Sequence, residues 1–291
     1  MISYLFAMSR RARNKRAHLL HGNGELVVRV SNITSAAGKA SLVMDLAQDG
    51  LHLLSETKHT PAIAKQLAAE ARYFSSSRQS STEFILGAPV KGSCGVGLCA
   101  GPKVAGRCRE VLPALDSEYY PWVAQGRMAL FAVTVQGAKR DRSESGESTL
   151  YFLQVYGNVN SPQRCDLILG VAENWAVSLG NVPIFLTGDF NVDWESSSVL
   201  RRWTQASIFH DAHVCVARWH GRAPEATTVS GRRIDHIWVN TCALSLVSEV
   251  TVQKDLFPTH HTLELVLNVE AFSQSAWVRQ KPAVLNLDAM W

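Results

Sequence analysis

The sequence predicts one domain of mixed α and β structure. Short β-branched or aromatic runs bounded by turn residues recur from Leu26 to Leu267, and stretches of helical periodicity fall between them. Apolar side chains make up 46% of the 291 residues, enough for one sizeable core. In chain order, Leu26 to Ser31 reads as a strand. Lys39 to Asp49 then reads as a helix with Leu42, Val43, Leu46 and Ala47 on one face. A strand from Leu51 to Ser55 leads to a helix from Pro61 to Tyr73 opened by Thr60, and serine-rich Ser75 to Thr82 reads as a loop.

Gly95 to Ala100 nominally matches a relaxed dinucleotide fingerprint. Gly101-Pro102 follows where a helix should begin, and no acid opens a second strand about 20 residues on, so the segment reads as a glycine-rich strand. Met128 to Val135 and Leu150 to Tyr156 are strands on either side of Gln136 to Ser148, an extended hairpin loop carrying Lys139, Arg140 and Arg142. Ser161 is a plausible N-cap for a helix from Pro162 to Leu179, because proline is tolerated in a first helical turn. Further strands are Ile184 to Thr187, Ile234 to Val239, Leu246 to Val252 and Leu263 to Leu267. The expected organisation is a basic arm over 1–24, one domain over 25–270 and a tail over 271–291.

Composition excludes more than it assigns. A charged fraction of 19% with 19 Gly and 10 Pro argues against collagen, coiled-coil and low-complexity readings. No apolar run reaches the ~18 residues of a membrane span. A net charge of +4 permits a polyanionic partner without requiring one. The six cysteines show neither a CxxC pair nor zinc-ligand spacing, which suits reduced thiols in an intracellular protein, nuclear or cytoplasmic. His210, His213 and Cys215 lack a second ligand pair and read as core or loop; Trp194, Trp203 and Trp219 read as packing anchors.

The chemistry concentrates where apolar strands end in acids. Pro183-Ile-Phe-Leu-Thr-Gly-Asp189-Phe-Asn191 delivers a carboxylate and an amide two residues apart, which period-two alternation would place on one side of an extended chain. Leu51 to Ser55 runs into Glu56, and Asp235 sits in an apolar strand beyond Arg232 and Arg233. Three carboxylates at strand ends suit a hard cation, and His260 and His261 offer an imidazole to stabilise charge on phosphorus. Taken singly, each has a bland reading: Asp189 and Asn191 as a turn, Asp235 as the partner of Arg232 or Arg233, the histidines as loop residues.

The ordered set resembles the endonuclease/exonuclease/phosphatase superfamily, with its DNase I-like fold, over roughly Leu26 to Val269. Five blocks carry the resemblance: Val30-Ser-Asn32, Ser55-Glu56-Thr57 with Ser where Gln is usual, Val155-Tyr156-Gly157, Gly188-Asp189-Phe190-Asn191 and Ile234-Asp235-His236. The closing Ser-Asp-His block is altered to Pro258-Thr259-His260, the favoured register, since it leaves Leu263, Leu265 and Leu267 facing inward. Either register lacks the usual late carboxylate. The resemblance implies an α+β, four-layer α/β/β/α sandwich of two packed, mostly antiparallel sheets flanked by helices. It also implies hydrolysis of a phosphodiester with Mg²⁺ or Mn²⁺. Glu56 would hold the metal with Asn32 assisting, and Asp189 and Asn191 would position or deprotonate water. Tyr156, Asn191, Arg232 and Arg233 would touch the phosphate, and His260, or in the other register His261, oriented by Asp235 would stabilise the transition state. The implied partner is nucleic acid, DNA ahead of RNA, bound by a monomer of a retroelement-type endonuclease. The alternatives are an inactive binding relic of the fold and a phosphatase acting on a small phosphoester or phospholipid.

Overall fold

Most long strands of this chain carry apolar side chains on both faces, so each sheet needs cover on both sides: the other sheet within, helices without. The structure is a computed structural model that describes residues 24–78, 81–90, 92, 94–136, 147–254 and 256–269. In chain order the elements are β1 (Glu25–Asn32), α1 (Ala40–Ala47), β2 (Gly50–Ser55), α2 (Pro61–Arg78), β3 (Glu83–Leu86), β4 (Val96–Ala100), β5 (Cys108–Val111), α3 (Tyr120–Ala124), β6 (Met128–Gln136), β7 (Glu147–Tyr156), α4 (Pro162–Ser178), β8 (Ile184–Asp189), α5 (Ser198–Ala206), β9 (His210–Asp211), α6 (Ala212–Trp219), β10 (Asp235–Val239), α7 (Thr241–Leu244), β11 (Val247–Gln253) and β12 (Thr262–Asn268). They build two six-stranded sheets, ordered β11-β12-β1-β2-β4-β3 and β5-β6-β7-β8-β10-β9. Pairing is antiparallel except for β1 on β2 and β7 on β8.

The inner layer of the sandwich joins Val28, Leu53, Leu98 and Leu265 of the first sheet to Phe131, Phe152, Phe185 and Ile237 of the second. Outside the first sheet, Val43, Met44, Leu67 and Phe74 of α1 and α2 pack on Leu54 and Cys99. Outside the second, Cys165, Ile168, Ala172 and Trp203 of α4 and α5 cover Leu153, Val155 and Leu186. The result is the four-layer α/β/β/α sandwich.

Local signals explain most boundaries. Ser161 caps α4 by accepting the Arg164 N–H at 3.3 Å, with Pro162 in the first turn. β6 and β7 pair as a hairpin from Met128↔Val155 to Gln136↔Glu147; Lys139, Arg140 and Arg142 between them lie outside the described residues, as do 1–23 and 270–291 with the expected arm and tail. The expected loop at Ser75–Thr82 is corrected in part, because α2 continues to Arg78. There Ser76 donates back to the Arg72 carbonyl at 2.9 Å, and Arg78 stacks 4.1 Å over the Phe74 ring while pairing with Asp45 at 2.6 Å. Trp203 is fully buried as an anchor, but Trp219 is 57% exposed and anchors nothing.

Gly188 lets β8 lie against β7. Its φ is +131°, and a Cβ there would stand 2.0 Å from the Val155 carbonyl oxygen. Gly188→Ala is expected to lower unfolding free energy by about 2–4 kcal/mol in urea titrations, from backbone strain plus overpacking. Gly170→Ala, inside α4 with open space around it, should raise stability by about 0.5–1 kcal/mol. A neutral Gly188→Ala would contradict this account of the strand contact.

Candidate active site

Strand register assembles the site before any side chain is considered. Parallel pairing of β7 with β8 sets Tyr156 opposite Asp189, and antiparallel pairing of β8 with β10 sets Asp189 opposite Asp235. In the other sheet, β1 beside β2 sets Asn32 opposite Ser55. Side chains alternate along a strand, so the parity that buries Phe152, Phe185 and Ile237 between the sheets turns Tyr156, Asp189 and Asp235 into the same gap. Two polar rows therefore face each other at one end of the sandwich.

Cross-sheet bonds lock the rows. Asn32 Nδ2 donates to Asp189 Oδ2 at 2.8 Å, while Asn32 Oδ1 accepts the Thr34 N–H at 2.9 Å. His260 enters just before β12, with Nδ1 2.9 Å and 3.1 Å from the two Asp235 oxygens and Nε2 3.9 Å from Asp189 Oδ2. That last separation is too long for a direct hydrogen bond, and both atoms can contact one water or phosphoryl oxygen lying to the side of the line between them. His261, the next residue, is buried; its N–H donates to the Thr227 carbonyl at 2.7 Å and its side chain does not join the acids. Asp235 pairs with His260 rather than with either arginine.

Asn191 reaches the site differently from the extended geometry expected of it. The strand ends at Asp189, and Asn191 turns back at φ +55° so that its N–H donates to Asp189 Oδ1 at 2.9 Å. Glu56, also at positive φ, follows β2 with its carboxylate 2.9 Å from Lys58 Nζ. Of the two expected phosphate contacts near β10, Arg233 is committed to buried Asp211, whereas Arg232 is 54% exposed, 3.7 Å from Asp193. Arg127 lies over the Tyr156 ring, 5.2 Å from its centre, and donates to the Gly157 carbonyl at 2.7 Å.

Electrostatics follow from burying two carboxylates side by side. Burial, and then the charge of Asp235, raises the Asp189 pKa to about 7, against the pull of His260 and of the bonds from Asn32 and Asn191. Burial opposes a charge on His260, yet the Asp235 bond and the charges of Asp235, Asp189 and Glu56 outweigh it and raise its pKa. Burial, then Glu56 and Asp189, pushes the Tyr156 hydroxyl well above its ordinary value, so it remains a proton donor. Asp189 is thus poised to take a proton near neutrality, beside an imidazolium and a phenol able to donate.

Among the described residues, Asp189, Asp235 and His260 bring ligand atoms within 4.8 Å of one another. Of the expected ligands, Asn32 bonds Asp189 directly, whereas Glu56 lies outside the group of three and acts on His260 and Tyr156 through its charge. Oxygen donors from Glu56, Asp189 and Asn32, with the carboxylate charge only partly balanced, fit a hard divalent cation.

Two supports escaped the sequence reading. Thr227 Oγ1 accepts the N–H groups of Ile234 and Asp235 at 3.1 and 3.0 Å, and Thr228 bridges to His260, so one short segment holds both members of the Asp–His pair. Behind the site, Ser55, Gln154 and Thr187 form a buried hydrogen-bonded chain. Gln154 was detectable as the lone amide in the inward row of an apolar strand; Thr227 carried no signal in sequence.

In metal-free protein, a raised Asp189 pKa means that the folded state holds a proton the unfolded chain releases near the ordinary aspartate value of 3.8. The associated stability is present below that pH and is lost as pH rises to about 7. His260, also raised, adds a loss at higher pH, through its own folded value. In chemical denaturation with EDTA, wild-type stability measured relative to Asp189→Asn should fall across pH 4 to 7, by at most about 1.4 kcal/mol per pH unit for one proton, while the rise from burying His52, His59 and His213 is common to both proteins and cancels in the difference. Parallel curves for the two proteins would contradict it.

The model of the Endonuclease/Exonuclease/phosphatase family matches residues 53–256. A 3'-5' exonuclease from Neisseria meningitidis superposes with a TM-score of 0.58 at 18% identity, covering 84% of this chain and all of that one. The catalytic domain of Xenopus laevis APE2 gives 0.62 at 14% identity, over 84% of this chain and 92% of that one. The endonuclease domain of the retrotransposon TRAS1 gives 0.57 at 11%, over 84% and 99%. No curated protein sequence matches significantly. With a family match spanning more than half its length, and the fold of those structures, the chain belongs to the endonuclease/exonuclease/phosphatase family.

Proposed function

We propose that this protein is a metal-dependent phosphodiester hydrolase acting on DNA as an endonuclease. The observation that carries the reading is the Asp189–Asp235–His260 constellation, with His260 bonded to Asp235 and its Nε2 3.9 Å from Asp189, so that one oxygen off the line between them can contact both. Asp189, held by Asn32 and Asn191, orients the attacking water and takes its proton. His260 donates to a phosphoryl oxygen as negative charge builds in the transition state, its cationic form maintained by Asp235. Tyr156 donates from the same row. Glu56, with the free lone pair of Asn32 Oδ1, would hold the metal, which when bound supplies charge neutralisation and a lowered water pKa. Hydrolysis is in line, with no covalent enzyme intermediate.

Nucleic acid is favoured over a small phosphoester by what surrounds the row. Next to Tyr156, a pocket of about 360 Å³ is lined by Trp122, Arg127, Asn158 and Arg164, pairing guanidinium groups with an indole. Exposed Arg232, three residues before Asp235, adds a further guanidinium. The Neisseria enzyme has also been described bound to a product DNA hairpin, as a 3' phosphatase.

A second reading, a DNA-binding relic without catalysis, draws on the Lys58 ammonium at Glu56 and on Thr259 in place of the late carboxylate. Supercoiled plasmid separates the two. Hydrolysis predicts nicking with Mg²⁺ or Mn²⁺, its loss in EDTA, and a drop of at least 10²-fold in Asp189→Asn, in keeping with removal of a general base. Plasmid left intact by wild type under every metal condition would refute the endonuclease; cleavage confined to 3'-phosphate ends would make it a 3' phosphatase.

Thr259→Asp tests the altered block. Added beside His260, a carboxylate is expected to tighten metal binding, lowering the Mg²⁺ concentration for half-maximal nicking about tenfold. An unchanged metal dependence would show that Thr259 does not occupy a ligand position.

A further inference from the structure

The site is divided between two sheets: Asn32 and Glu56 lie on the first, and Tyr156, Asp189 and Asp235 on the second. Hydrocarbon packing between sheets is non-directional and tolerates sliding, so something directional must fix one half against the other. Resting on the hydrolase reading above, we propose that Gln154 is the positioning residue that registers the Glu56 half of the site on the Asp189 half.

Gln154 lies two residues before Tyr156 in the inward row Leu150–Phe152–Gln154–Tyr156, with no exposed surface. Its Oε1 accepts the Thr187 hydroxyl at 2.5 Å from the neighbouring strand, its opposite number in the register. That bond orients the amide so that Nε2 crosses the gap and donates to Ser55 Oγ at 2.9 Å. Ser55 Oγ also lies 3.4 Å from the backbone N–H of Asp189. One serine hydroxyl thus meets the second sheet at Gln154 and at Asp189, while its own residue leads directly into Glu56. Sheets pack about 10 Å apart, and a serine side chain is too short to span that distance, so the longer Gln154 amide makes the crossing. Unlike the Asn32–Asp189 bond, this chain touches no group that reacts. Its effect is on where Glu56 enters, because the positive-φ turn at Glu56 starts from the fixed Ser55.

The test must separate positioning from support of the core. Gln154→Met keeps the volume but strands the Thr187 hydroxyl in the interior, so it is paired with Gln154→Met/Thr187→Val, which removes that hydroxyl as well and leaves Ser55 Oγ its contact with the Asp189 N–H, keeping the stability cost small. Three readouts are needed: the melting temperature, the crystallographic position of Glu56 relative to Asp189, and kcat and KM for plasmid nicking. The expected result for the double variant is a melting temperature within a few degrees of wild type and a Glu56 carboxylate displaced from Asp189. Its kcat should fall about 10²-fold, the scale of an ångström-level misplacement, with KM changed less than about threefold. Displacement at unchanged stability supports the proposal even if wild type cleaves no plasmid, in which case the hydrolase reading alone fails. An unmoved Glu56 overturns it, as does an unfolded double variant, which would make Gln154 a structural support only.

Discussion

The structure depends on keeping strand ends level. Tyr156, Asp189 and Asp235 share one row only because β7, β8 and β10 pair in a single register, and a slip of one residue would turn a carboxylate outward. The same holds where Asn32 meets Ser55. Gly188, pressed against Val155 where no side chain fits, keeps that register possible. Along β1, β2, β7 and β8 the inward row turns from hydrocarbon to polar at the C-terminal end, and Asp235 opens antiparallel β10 at the same level, so the core stops being apolar where the candidate site lies.

A polar end of this kind is costly unless every group is answered. Asp189 and Asp235 are nearly inaccessible and adjacent, and the fold answers their carboxylates with Asn32 and the Asn191 backbone on one and His260 on the other, while the Thr227 hydroxyl fixes the Asp235 backbone N–H. The answer is incomplete in charge: two carboxylates meet one imidazolium. Burial, and then the neighbouring charge of Asp235, raises Asp189 toward neutrality, and an unbalanced carboxylate of this kind suits a cation. The proposed proton acceptor, proton donor and metal-holding carboxylates all draw on one packing arrangement.

Much of this was legible in the sequence because the signals were local. Apolar runs ending in Gly188-Asp189, in Ser55-Glu56 and in Val155-Tyr156 marked both the strands and the polar row, and leucine parity from Leu263 to Leu267 singled out His260, the histidine found beside Asp235. What escaped depends on contacts between distant segments. Asn191 is set by a turn that extended-chain alternation does not describe. Arg233 looked free for phosphate until Asp211, 22 residues earlier, was seen to hold it. β3, β5 and β9 are too short or too polar for periodicity to register, and α2 outlasts its apolar pattern because Arg78 finds Asp45 and Phe74 in space.

The imidazole at the centre offers the most direct measurement. Following the ring protons of His260 by NMR across pH in metal-free protein reports whether Asp235 and Asp189 surround it as described. The account predicts a midpoint above the ordinary histidine value of 6.5, shifting down in Asp235→Asn as burial is left less opposed. A wild-type midpoint at or below 6.5, or one that Asp235→Asn does not move, would contradict it.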